Sequence, residues 1–146
     1  CGITPEPIDR FGAPRQQFEK VSLGAEKYVE WEYIRRTADV IKKLKKESYK
    51  VFAVEQYRAS IPYYKIGFRS RHSRGIRDVR IALIFGNERS GLPPSILKLA
   101  DKILEIPMHG AMVRHARHPR RMGRGKESLN VAVAFGIIVF DMRCRH

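Results

Sequence analysis

The chain reads as an α/β domain, a parallel sheet with flanking helices, and three short segments carry that reading. They are Phe85-Gly-Asn-Glu-Arg-Ser-Gly-Leu92, Ile106-Pro-Met108 and Ser128-Leu-Asn-Val131. Each looks like the end of a buried strand running into a polar or glycine-bearing turn and then a helix. In an open α/β sheet ligands bind at the carboxyl ends of strands. Three such ends therefore imply one cofactor pocket.

The elements follow in order. Residues 1–17 read as a loop, because Pro5, Pro7 and Pro14 remove backbone donors and restrict the residues before them. Tyr28-Val-Glu-Trp-Glu-Tyr33 alternates as a short strand does. Residues 35–47 place Ala38, Ile41 and Leu44 on one face with lysines opposite, the pattern of a surface helix. A strand at 50–55 follows, and this strand-helix-strand order predicts a parallel pair with a right-handed crossover. Residues 56–79 form a long loop in which Tyr57, Tyr63, Tyr64 and Phe68 stand among Arg58, Lys65, Arg69, Arg71, Arg74 and Arg77. Loops longer than about 15 residues are usually functional or disordered. The run Ile81-Ala-Leu-Ile-Phe85 is apolar on both faces, which predicts a central strand. Pro93 and Pro94 fit the first turn of a short helix over 95–101, since proline there forfeits no needed hydrogen bond. A strand at 103–107 and a helix at 129–142, capped by Ser128, complete the pattern.

Charge and composition narrow the function classes. The 146 residues hold 29 Lys and Arg against 15 Asp and Glu, a net charge of +14. Such an excess points to a polyanionic partner, nucleic acid first, because neutralising phosphates releases counterions. Cys1 and Cys144 sit at opposite ends and give no disulfide framework, which fits a reducing cytoplasm. The most apolar run, 131–140, is far short of the roughly 20 residues that cross a bilayer, so no membrane partner is expected. His115, His118, Cys144 and His146 could be imagined around zinc, but Arg114, Arg117, Arg120, Arg121 and Arg124 would repel a cation, and no metal is expected.

In its second and third motifs the chain resembles the SpoU/TrmH group of SPOUT RNA 2'-O-ribose methyltransferases. Ile84-Phe-Gly-Asn-Glu88 is similar to the family's second motif, and Ile106-Pro-Met108 followed by Ser128-Leu-Asn-Val-Ala-Val-Ala134 to its third. Gly2-Ile-Thr-Pro5, Lys20 with Leu23-Gly-Ala-Glu26, and Val54-Glu-Gln56 resemble connecting segments in the same order. The resemblance implies a trefoil-knotted sheet, a homodimer and S-adenosylmethionine as cofactor. It implies cofactor contacts through the backbone around Gly86, Ile106 and Leu129, with Glu88, Ser128 and Asn130 as the catalytic or positioning groups and Asn87 beside them. Two departures stand out. The family's opening strand and helix, with an Asn-x-Gly-x-x-x-Arg motif, would already have ended where Cys1 begins, so the expected catalytic Arg has no counterpart by motif match. Residues 111–124 also stand as a basic insertion before the third motif.

The resulting expectation is a partial SpoU-type domain over 1–146, with a basic loop at 57–79 and the insertion at 111–124. Its function is methyl transfer from S-adenosylmethionine to a ribose 2'-hydroxyl of tRNA or rRNA. The alternative is a non-catalytic RNA-binding fragment that keeps only the basic face. Arg69, Arg71, Arg74, Arg117, Arg120 and Arg121 are the expected phosphate contacts. His109 lies next to the pocket and titrates in a useful range, but a surface role explains it as well. A dinucleotide-dependent oxidoreductase is disfavoured, since no Gly-x-Gly-x-x-Gly follows a strand.

Overall fold

Valine, phenylalanine and alanine in succession at 51–53 are all buried, and the strand that holds them is the axis of the sheet. The computed structural model describes residues 2, 5–66, 79–87, 90–108 and 129–144. The chain forms two compact units, Cys1–Lys43 and Leu44–His146.

In the second unit, β1 (Lys50–Val54), β2 (Ile61–Pro62), β3 (Ile81–Phe85) and β4 (Lys102–Glu105) form one parallel sheet in the order β2-β4-β1-β3. Parallel pairing needs crossover connections, so the faces of such a sheet are covered, and the strands read as unbroken apolar runs. Phe52, Leu104 and Ile66 form the core cluster, with Ile61, Tyr63, Ile81 and Leu83 packed on it. The start of the sheet is fastened by Asp101. Its backbone N–H donates to the Val51 carbonyl at 2.7 Å, and its Oδ2 accepts the Val51 N–H at 2.7 Å. Lys45 Nζ stands 3.0 Å from Oδ1. Burial pushes the Asp101 carboxyl up, but the Val51 amide and the Lys45 ammonium outweigh it and hold it below its ordinary value.

Helix α3 (Pro94–Leu97) buries Ile96 and Leu97. Helix α4 (Val131–Cys144) buries Ala134 and Ile138 and leaves Val133, Phe135 and Phe140 half or more exposed, at 51%, 50% and 70%. In the first unit, the Asp9 carboxylate accepts the Phe11 and Ala13 amides and closes a turn. Helix α1 (Gln16–Ser22) follows, ending where Leu23 takes a left-handed conformation. Helix α2 (Thr37–Lys46) buries Ile41.

Several expectations are corrected. Residues 28–33 form no strand; Tyr28 is 90% and Val29 64% exposed, and alternation without a ladder partner leaves an irregular segment. The strand-helix-strand crossover expected there is therefore absent, and the parallel pairs are β1 with β3 and with β4. Strand β3 is an edge strand among the described residues, with all five of its residues half-buried, while β1 and β4 lie inside. Apolarity on both faces reports how the faces are covered, not how many neighbours a strand bonds. Helix α1 begins at Gln16, inside the loop expected over 1–17, and a strand and a 3-10 turn, Ile61–Pro62 and Tyr63–Lys65, interrupt the expected loop after β1. A knot is a property of the whole path, which passes through 109–128, outside the described residues; so do the insertion at 111–124 and the basic stretch 67–78.

Candidate functional site

All strands of a parallel sheet end on the same side, and here the register sets the ends level. Val54 of β1 stands opposite Phe85 of β3 on one side and Leu104 of β4 on the other. The residues at and just past those ends meet around a cavity of about 90 Å³. Glu55 and Gln56 come from β1, Gly86 and Asn87 from β3, Ile106 and Met108 from β4, and Leu129, Val131 and Ala134 from the start of α4. The rings of Phe85 and Phe135 meet edge to face, with centroids 5.9 Å apart, which holds α4 against the end of β3.

The turn after β3 is shaped by its glycines. A Cβ at position 86 would lie 2.6 Å from the Gly91 carbonyl carbon and 2.8 Å from the Leu92 nitrogen, so the returning chain passes directly against Gly86. Gly91 has a φ of +64°, a conformation that side chains disfavour. Its N–H donates to the Asn87 carbonyl at 2.8 Å, and Asn87 Oδ1 accepts the Ser90 amide at 3.3 Å. Glu55 reaches across from β1, where its Oε2 accepts the Leu92 N–H at 2.8 Å and its Oε1 accepts the Gln56 N–H at 3.1 Å.

The opposite wall is tied differently. Ser60 Oγ lies 2.5 Å from the Tyr57 carbonyl oxygen and 2.7 Å from Glu105 Oε2. The Gln56 carboxamide donates to Met108 Sδ at 3.2 Å. At the third wall, Asn130 Oδ1 accepts the Ala132 N–H at 2.8 Å, and the Asn130 carbonyl accepts the Ala134 N–H at 2.9 Å. Asn130 is thus the N-cap of α4, which corrects the expectation that Ser128 caps a helix from Leu129. An Asn side chain bonding the amide two residues on satisfies one of the free donors of the first turn.

The structure brings Gly86, Ile106 and Leu129 together on one cavity, with Asn87 on its wall and Asn130 next to Leu129. Glu88, Ser128, His109, Arg69, Arg71, Arg74, Arg117, Arg120 and Arg121 lie outside the described residues. Sequence reasoning missed Glu55, Gln56 and Glu105 as pocket residues. The signal was available, since each sits at or just past a strand end, yet Val54-Glu-Gln56 reads as a mere connecting segment. No group of three His, Cys, Asp or Glu side chains that could hold a metal occurs among the described residues.

Comparison with known proteins places this geometry. The model of the SpoU rRNA Methylase family matches residues 7–113, so the match includes the turn after β3 and the Ile106-Pro-Met108 strand end, and Ser128–Ala134 lies beyond it. The chain is 25% identical over 123 residues to the tRNA (guanosine(18)-2'-O)-methyltransferase of Aquifex aeolicus (strain VF5), covering 84% of this chain and 47% of that protein. It is 25% identical over 128 residues to the tRNA (guanosine(18)-2'-O)-methyltransferase TARBP1 of Mus musculus, covering 86% of this chain and 7% of that one. Among solved structures it is similar to the AdoMet-bound rRNA methyltransferase from Sinorhizobium meliloti, with a TM-score of 0.65, 25% identity and coverage of 97% of this chain and 44% of the other. The chain spans less than half the length of these curated relatives.

Proposed function

Because the chain belongs to the SpoU rRNA methylase family, we propose that it is the S-adenosylmethionine-binding part of an RNA methyltransferase that modifies a ribose 2'-hydroxyl of tRNA or rRNA. The observation that carries this reading is the convergence of three level strand ends and the start of α4 on one cavity. Relatives named as tRNA 2'-O-methyltransferases and an AdoMet-bound structural neighbour support the substrate class and the cofactor.

The residues present fit the cofactor. Ile106, Met108, Leu129 and Val131 offer apolar walls for a flat ring, and the amides and carbonyls at the strand ends can read the edge of a base without side chains. The cavity is smaller than the roughly 300–1,000 Å³ of a whole ligand site, so these walls suit one end of an extended molecule. When bound, S-adenosylmethionine supplies an electrophilic methyl group on a sulfonium. The protein must hold the ribose hydroxyl in line with that methyl and accept its proton as the new bond forms. Glu88, Ser128 and Asn130 are the groups proposed to orient the ribose and order the surrounding turns. For Asn130, the support is its place at the start of α4 beside Leu129.

Arg69, Arg71, Arg74, Arg117, Arg120 and Arg121 are proposed to contact phosphates, in keeping with the net charge of +14. A homodimer is proposed through α4, whose exposed Val133, Phe135 and Phe140 make it apolar nearly all round, a pattern that calls for cover. No helix among the described residues is long and apolar enough to cross a membrane, and a cytoplasmic location fits an RNA-modifying role. Titration calorimetry with S-adenosylhomocysteine tests the reading. Binding with one site per chain is expected; no heat at millimolar ligand would refute the cofactor assignment, and binding of NADH instead would point to a redox enzyme.

A further inference from the structure

Glu55 links the ends of β1 and β4 to the turn that follows β3. It directly continues β1. Its backbone N–H donates to the Leu104 carbonyl of β4 at 2.9 Å, and its carboxylate accepts the Leu92 N–H at 2.8 Å from the turn that follows β3. Within that turn, the Gly91 N–H donates to the Asn87 carbonyl and the Ser90 N–H to Asn87 Oδ1, bonds that close the turn upon itself.

The packing is built around this carboxylate. A Cβ on Gly91 would lie 2.6 Å from Glu55 Oε2, so only glycine lets the carboxylate sit where it reaches Leu92. Gly91 and Leu92 in turn press on Gly86, which lines the cavity. The contacts run in series: Glu55 holds Leu92, Leu92 and Gly91 hold Gly86, and Gly86 shapes the wall.

We propose that Glu55 is a positioning residue for the pocket, fixing the turn after β3 relative to the ends of β1 and β4 through the Leu92 amide. The proposal rests on the cofactor reading above and adds to it a residue that acts on the turn. A carboxylate suits the task because a charged acceptor makes a stronger bond to a backbone amide than a neutral one does. Its charge is not required for the geometry, however, and a carboxamide oxygen can occupy the same place.

The test combines amide exchange at Leu92, measured by NMR, with S-adenosylhomocysteine and S-adenosylmethionine affinities of the wild type, Glu55→Gln, Glu55→Ala and Gly91→Ala. Expected are slow exchange at Leu92 in the wild type and Glu55→Gln, fast exchange in Glu55→Ala, and an affinity loss of about tenfold for both ligands in Glu55→Ala alone of the two Glu55 variants, in line with one partly buried donor left without its acceptor. Gly91→Ala reaches the same contact without altering Glu55, so it decides the matter even if Glu55→Ala does not fold; fast exchange at Leu92 and weakened binding are expected. Slow exchange in Glu55→Ala or Gly91→Ala, or unchanged affinity despite a released amide, would overturn the proposal. So would a Glu55→Gln variant as damaged as Glu55→Ala with the loss confined to S-adenosylmethionine, which would mean that the carboxylate acts on the ligand's positive charge. A wild type that binds neither ligand would refute the cofactor reading and the predicted affinity effect, while exchange at Leu92 would still decide whether Glu55 anchors the turn.

Discussion

Placing a methyl group on Gly86 probes the pocket where its walls touch. The Cβ of Gly86→Ala would stand 2.6 Å from the Gly91 carbonyl carbon, 2.8 Å from the Leu92 nitrogen and 2.9 Å from the Gly91 Cα. The first of these is roughly 0.9 Å inside the closest comfortable carbon–carbon separation. All three obstacles are backbone atoms, so no side chain can rotate away, and residues 91 and 92 must move as a unit. Overpacking of this kind costs about 1–3 kcal/mol. Converted at about 1.4 kcal/mol per factor of ten, the loss is roughly 5- to 150-fold in affinity if the turn relaxes outward and binding must pull it back. If the turn stays fixed, the same strain lowers the melting temperature by roughly 4 °C per kcal/mol. Calorimetry with S-adenosylhomocysteine and a thermal melt together capture both outcomes. Gly136→Ala is the control, because a Cβ there meets nothing within 4 Å and the site lies inside α4; it should gain about 0.5–1 kcal/mol of stability. A Gly86→Ala protein with unchanged affinity and unchanged melting temperature would refute the close approach on which the pocket geometry depends.

Asp101 makes stability depend on acid. Its carboxyl is held below its ordinary value in the folded chain, so its contribution is present above the unfolded value of about 3.9 and is lost as pH falls through the lower folded value. Urea unfolding at pH 7 and near pH 3 should show a smaller acid loss for Asp101→Asn than for the wild type, and equal losses would exclude the linkage. Phe140→Asp on α4 should shift the species seen by analytical ultracentrifugation toward monomer, since the ring is 70% exposed and contributes little to the fold of a single chain. An unchanged sedimentation profile would remove α4 from the interface. Replacing Arg117, Arg120 and Arg121 with Ala should weaken RNA binding across sequences and lower the salt slope by about 0.9 per lost phosphate contact. A slope equal to that of the wild type would show that these arginines do not touch RNA.

How far the sequence reached can be judged element by element. The apolar run at 81–85, the amphipathic helix around Ile41 and the strand at 50–54 were legible because each is written in local periodicity. The sequence marks Asn130 as a polar group of the pocket and Ser128 as the helix cap, whereas Asn130 caps α4; Ser and Asn follow closely there, and only backbone geometry selects between them. The segment 28–33 misled for the opposite reason: its alternation is local, whereas a strand exists only if a partner's amides and carbonyls lie alongside it.

The sequence by itself determined the class of fold, the family and the strand ends that follow Phe85 and precede Met108, because a strand-end glycine and apolar runs act over a few residues. Which strand lies at the edge, and that Glu55 joins Leu104 to Leu92, were decided by the tertiary structure alone. Leu92 is 37 residues from Glu55 and Leu104 is 49, and no local pattern encodes a contact across such distances. Strand order and register create it, by bringing the ends of β1, β3 and β4 to one level where a single carboxylate can span them.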